Sequence, residues 1–173
     1  MGNRSDLNNV VATLRTMLVS NKDLLKILHY DGKDIDIYDS KYDLSPTIAK
    51  SVVKDKILPY EKEFTDNEKC CYMFMLYGDK AYHQRNNHYF NGNTLVFYIL
   101  CDRDIVYNNY IGNRTYEIEG IIKEVFDGAT VDEVVGVCHV VSSEPVSAKG
   151  TNYSGRKVTI AFSDFNSKNG EVR

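Results

Sequence analysis

At 173 residues with a formal charge of -3, the chain is long enough to bury a core of its own, and it lacks the basic excess that sequence-independent binding to duplex DNA or anionic lipid requires. Hydrophobic residues make up 43% and charged residues 26%, as in ordinary globular proteins, so the one oddity is 13 tyrosines with no tryptophan, a side chain suited to surfaces that are dry on one side and wet on the other. The longest apolar run, Leu95 to Cys101, is far short of a membrane span, and "MGNRSDLNNVV" has no signal-peptide h-region, so the expected compartment is cytosol-like.

The first predicted element is a helix capped by Ser5, whose apolar residues Leu7, Val10, Val11, Leu14, Met17 and Leu18 recur at helical spacing. A second, shorter helix begins at Asn21 and carries Leu24, Leu25, Ile27 and Leu28. The stretch 31–43, "DGKDIDIYDSKYD", holds five aspartates among turn residues and reads as an exposed loop. A third helix starts with Ser45 as N-cap and Pro46 at the first helical position, and Pro59 is its expected stop.

Beyond it the period changes. Residues 69–78 and 93–102 are rich in β-branched and aromatic side chains and are bounded by turn formers, which predicts two strands. A helix over 113–127 follows, then strands at 134–143 and 155–165. The expected fold is therefore α+β, one domain over 1–173, with a mainly helical part (1–60), a β-β-α-β-β part (69–165) and a tail (166–173). Its sheet should have roughly four mostly antiparallel strands packed by helices. Two segments, 78–92 and 142–155, read as loops long enough to be functional, and the composition of the second predicts a segment that is mobile until it docks.

Catalytic patterns are lacking. Cys70, Cys71, Cys101 and Cys138 show no C-x-x-C spacing and are expected to be reduced core residues, and the sequons at Asn113 and Asn152 then have no glycosylation route. His83 and His88 stand five apart, and Cys138 and His139 are neighbours that a strand would send to opposite faces, so no metal is expected. There is no G-x-S-x-G and no glycine-rich phosphate loop. The acid pairs Asp34/Asp36 and Asp102/Asp104 have no apolar pocket in the sequence to separate their pKa values. The expectation is no enzyme and no cofactor.

One residue conflicts with its surroundings. In the 113–127 helix, Ile118, Ile121, Ile122, Val125 and Phe126 form one stripe, Glu119 and Lys123 an i, i+4 pair, and Gly128 suits the position just past the end. Arg114, however, stands in the first turn, where the helix dipole disfavours a cation by about 0.3–1 kcal/mol. It needs a partner. Asp102 and Asp104, which flank Arg103, are the expected acceptors, either inside the chain or across a subunit contact, and Arg114, Asp102, Arg103 and Asp104 form the candidate interface set.

Four pieces, "NKDLLKILHYD", "KDKILPY", "NTLVFYILCDRD" and "NRTYEIEGIIKEVFDG", together resemble the tail-terminator and head-tail joining (neck) proteins of tailed bacteriophages, over roughly residues 20–165. The shared pattern is an order of elements: a helical start, strands ending in a polar turn, an arginine-started helix and a closing hairpin. The acidic loop at 31–43, the polar segment at 78–92 and the tail "NSKNGEVR" go beyond the shortest members. The resemblance implies a non-enzymatic virion subunit, assembled in the host cytoplasm, that forms a homo-oligomeric ring, commonly a hexamer, on the tail tube. Its implied partners are further copies of itself, the tail tube protein and neck, connector or portal-adaptor proteins, with DNA passing through the lumen without specific binding and no membrane involved. A neck or connector ring around the portal is the near alternative, and a small cytosolic binding module the alternative of another class.

Overall fold

The computed structural model of the chain describes residues 4–59, 69–78, 94–130 and 137–162. Helix α1 (Arg4–Val19) sends Leu14 and Leu18 into the core. Helix α2 (Lys22–His29) opens at Asn21, whose side chain accepts the backbone N–H of Leu24, and every residue from Leu24 to Leu28 is buried. Helix α3 (Pro46–Lys56) begins as its sequence demands, with the Ser45 hydroxyl accepting from the Ile48 N–H and proline at a position that has no intrahelical bond to lose.

That helix ends earlier than Pro59. Ile57 and Leu58 leave it as a two-residue strand, β1, which pairs in parallel with β2 (Cys71–Gly78). After β3 (Thr94–Asp102) come a small hairpin of β4 (Tyr107–Asn108) and β5 (Gly112–Asn113), helix α4 (Arg114–Phe126), and the strands β6 (Cys138–Ser147) and β7 (Tyr153–Phe162). The main sheet has five strands in the order β1-β2-β3-β7-β6, antiparallel except for β1 with β2. The fold is thus a single α+β domain whose main sheet has one strand more than its sequence predicts, beside the small two-stranded β4–β5 sheet. A strand of two residues has no period to detect.

The strands alternate as a sheet buried on both faces must. Met73, Phe97, Ile99, Val158 and Ile160 join the helix-side core with Leu18, Ile27, Ile118, Ile122 and Phe126, and the Phe97 and Phe126 rings stack at 5.6 Å. Tyr72, Phe74, Leu100 and Tyr153 form a second apolar cluster on the other face.

Two expectations are corrected. The segment 142–155 is mostly strand: Ser142 pairs with Thr159, Glu144 with Lys157 and Ser147 with Ser154, so the connection shrinks to a turn around Gly150, whose φ of 76° suits glycine. Its Ser, Pro and Glu residues suit a half-solvated edge strand, where Pro145 loses no ladder bond on the open side. The expected mobile loop is ladder. Secondly, Cys71 and Cys101 stand opposite each other on β2 and β3 and form a disulfide, while Cys138 is a buried thiol and Cys70 is buried with its sulfur 3.5 Å from the Tyr153 hydroxyl. Strand register, which residue spacing does not reveal, brings them together. With 30 residues of separation, the bond restricts the unfolded chain by about 3.5 kcal/mol, so reduction should lower the urea midpoint of the full-length protein accordingly, and Cys71→Ser should abolish that response.

Candidate functional site

Arg114 is the largest fully buried side chain among the described residues, at 0% exposure, and it faces backbone carbonyls of its own chain. Its Nε donates to Ile105 O at 2.8 Å, Nη1 to Tyr30 O at 2.6 Å and Ile27 O at 3.4 Å, and Nη2 to Gly32 O at 2.8 Å. Ile27 and Tyr30 belong to the last turn and C-cap of α2, so the guanidinium occupies the negative end of that helix dipole. The cation disfavoured at the start of α4 is held at the finish of α2. Burial lowers the guanidinium pKa, the nearby Asp31 opposes that shift, and burial in turn raises the Asp31 carboxyl above its ordinary value. Arg15 repeats the device on α3, donating to Val53 O and Ile57 O.

Asn108 completes the clamp. Fully buried, it donates from Nδ2 to Gly32 O and Ile35 O and accepts at Oδ1 from the N–H groups of Tyr110 and Ile111. Asn109 adds a backbone bond to Lys33 O and a side-chain bond to Asp34. The acidic loop is therefore tied to the β4–β5 hairpin, and its Ile37 is in the core with no exposure at all. Lys26, only 4% exposed, holds the far end by donating to Ile37 O and pairing with Asp43 at 2.6 Å. The outer surface of this assembly carries Tyr38, Tyr107 and Tyr110, each between 56% and 59% exposed, while the equally exposed Tyr116 of α4 lies against Arg156 of β7. Tyr38 donates to Glu117 at 2.6 Å, and burial together with that carboxylate pushes its phenol pKa well up.

The candidate interface set separates into two pairs. Asp102 is 3% exposed and accepts at Oδ1 from the Asp104 N–H and from Asn152 Nδ2, so it shapes the turn after β3. Arg103 and Asp104 are exposed on that turn, and Asp104 pairs with Lys69 at 2.6 Å, a contact that lowers its carboxyl pKa. The expected bonds from Arg114 to Asp102 or Asp104 are not made, because carbonyls at a helix end offered the guanidinium a planar, desolvated set of acceptors. With no surface left, Arg114 has nothing to offer a neighbouring subunit. Both sequon asparagines are structural: Asn113 caps α4 and Asn152 braces Asp102.

Further along α4 the expected pair forms, Lys123 to Glu119 at 2.6 Å, and Arg156 of β7 joins it at 2.7 Å while reaching Ser143 of β6. Burial raises the Glu119 carboxyl, but the hydrogen bonds from Lys123 and Arg156 outweigh it, and the net pKa is low. A carboxyl held below its unfolded value adds stability that is complete above about pH 4.3 and is lost as pH falls through the folded value. Glu119→Gln should therefore cost about 2 kcal/mol in urea melts at neutral pH, and the gap to wild type should close in strong acid.

Cys138 is buried and its thiol is pushed up to about 12 by burial, which leaves it unreactive, and His83 and His88 lie outside the described residues. Among the described residues no group of three or more His, Cys, Asp or Glu is placed to hold a metal ion. A half-open cavity of about 320 Å³ lies between α2 and α3, walled by Leu25, Leu44, Pro46 and Ala49, with Lys22 and the Lys26–Asp43 pair as its polar lining. Sequence reading missed it, since its walls come from three segments. Asn108 and Lys26 were missed as well, and neither carries a local signal.

No curated protein and no solved structure matches the chain. The model of the YomW family does, over residues 21–162, from the start of α2 to the end of β7. The chain belongs to the YomW family, a phage-derived family of Bacillus proteins, which is consistent with a phage origin.

Proposed function

We propose that this protein is a structural virion subunit that forms a ring at the tail/neck junction, capping the tail tube and joining it to the head. The observation that carries the reading is the clamped surface: Tyr38, Tyr107 and Tyr110, each more than half exposed, presented on a loop and hairpin that Arg114 and Asn108 tie together. Rigid, amphipathic side chains lose little entropy on docking and are enriched where proteins bind one another. The phage-derived family adds a setting in which such a surface has work to do. Arg103 and Asp104, exposed on the turn after β3, keep their place as candidate contacts, and Asp102 supports them from beneath.

A tail-terminator role requires closed assemblies that bind tube ends. Mass photometry of the full chain, followed by negative-stain imaging with tail tubes from the same phage, should show rings seated on the tubes. A chain that stays monomeric under both conditions overturns the reading, and rings that bind portal complexes but ignore tubes move the protein to the neck.

A further inference from the structure

We infer that one copy of this chain inserts Tyr110 into the cavity between α2 and α3 of the next, making a head-to-tail contact. This rests on the ring reading above for its setting, but its terms are on the surface of the molecule.

The projecting part is the tip of the β4–β5 hairpin. Tyr110 is 59% exposed, yet its backbone N–H is fixed by Oδ1 of the buried Asn108 side chain and the neighbouring Asn109 is bound to Lys33 and Asp34. A large ring is thus held out in solvent with its backbone already ordered, so seating it costs little further entropy. The receiving part is the cavity of about 320 Å³, with Leu25, Leu44, Pro46 and Ala49 as apolar walls. A phenol ring matches those walls, and its hydroxyl, which donates and accepts, matches the polar lining, where Lys22 can donate and the Asp43 carboxylate, bound through Oδ1 to Lys26, has a second oxygen to accept.

Charge agrees with shape. Short of Asp43, which lines the cavity itself, the loop that braces the hairpin holds four aspartates against two lysines over 31–42, whereas the cavity carries Lys22 and Lys26 against Asp43, with exposed Lys50 on α3 one residue past Ala49. The two parts are different patches: Arg114 and Asn108 tie the hairpin to the segment leaving the C-terminus of α2, while Lys22, Leu25 and Lys26 of that helix, with the far end of the loop at Asp43 and Leu44, line the cavity. A contact between two different patches is heterologous, and repeating it gives a closed ring or an open chain.

The test uses the full chain in three forms: wild type, Tyr110→Ala, and Lys22→Glu, both substitutions at exposed sites. Sedimentation velocity should show wild type associating with concentration and each variant weakened by about tenfold or more at an unchanged melting temperature. A mixture of the two variants should form dimers and nothing larger, because only the Lys22→Glu tyrosine and the Tyr110→Ala cavity remain as a matched set. Ala49→Phe, which fills the cavity from within, should behave as Lys22→Glu does. Variants that assemble as wild type does overturn this contact and leave the ring reading standing, as does a mixture that stays monomeric. Wild type that builds only open chains, blocked by Tyr110→Ala and unable to cap tubes, supports the contact and overturns the ring. Wild type that never associates overturns both.

Discussion

Arg114→Met should lower the melting temperature by roughly 10 °C, from a loss of about 4 kcal/mol, although it removes no ion pair. Methionine fills much of the same volume but donates nothing, so the carbonyls of Ile105, Tyr30 and Ile27 lose this donor in a site with no exposure, and Gly32 O keeps only the bond from Asn108. Each unpaired buried carbonyl costs about 1–3 kcal/mol, and the relaxation that lets water reach some of them keeps the total below the simple sum. Arg114→Lys should recover part of the loss, since an ammonium can satisfy two or three acceptors but cannot copy the fork that spans β4's approach and the end of α2. Asp102→Arg should rescue neither variant, because Asp102 is bound to Asp104 and Asn152 and takes no part in the cage. A methionine variant that melts with wild type would mean that the carbonyls find water at no cost, and the clamp would lose its energetic meaning.

What the sequence made legible follows from how local each signal is. Caps and helical stripes are local, and Asn21, Ser45, Asn113 and Gly128 all act at the positions their residue types suggest. Arg114 was legible as a conflict and illegible in its resolution: the dipole rule flagged a cation in the wrong turn, but which distant group would answer it depended on how α2 approaches α4. Lys26 makes the same point inside a run that reads simply as apolar, for only the fold brings Ile37 O and Asp43 to its ammonium. The acidic loop was half legible. Its aspartates are mostly outside, as turn chemistry implies, while Ile37 belongs to the core and Ile35 packs against it. Register was not legible at all, and with it went the Cys71–Cys101 bond and the true extent of β6.

Gly155 is where that blindness has its largest consequence. Read along the chain it is one more turn residue beside Ser154, yet it pairs with Leu100 on one side and Val146 on the other, inside the ladder. A methyl group there would drive into the carbonyl oxygen of Ile99 and stand 2.8 Å from its carbon and 3.3 Å from Leu100 Cα. All three are backbone atoms of β3, so no side chain can turn aside, and relief requires moving two central strands apart. Gly155→Ala should therefore cost about 3 kcal/mol or more, at the upper end of overpacking effects. Gly120→Ala supplies the contrast. That glycine lies on the exposed face of α4 with nothing within 4 Å of the added methyl, so the better helix former should raise stability by about 0.5–1 kcal/mol. Paired urea melts should move in opposite directions for the same chemical change. Equal and small effects from the two would show that β3 and β7 yield easily, and would remove the close approach as the reason for glycine at 155.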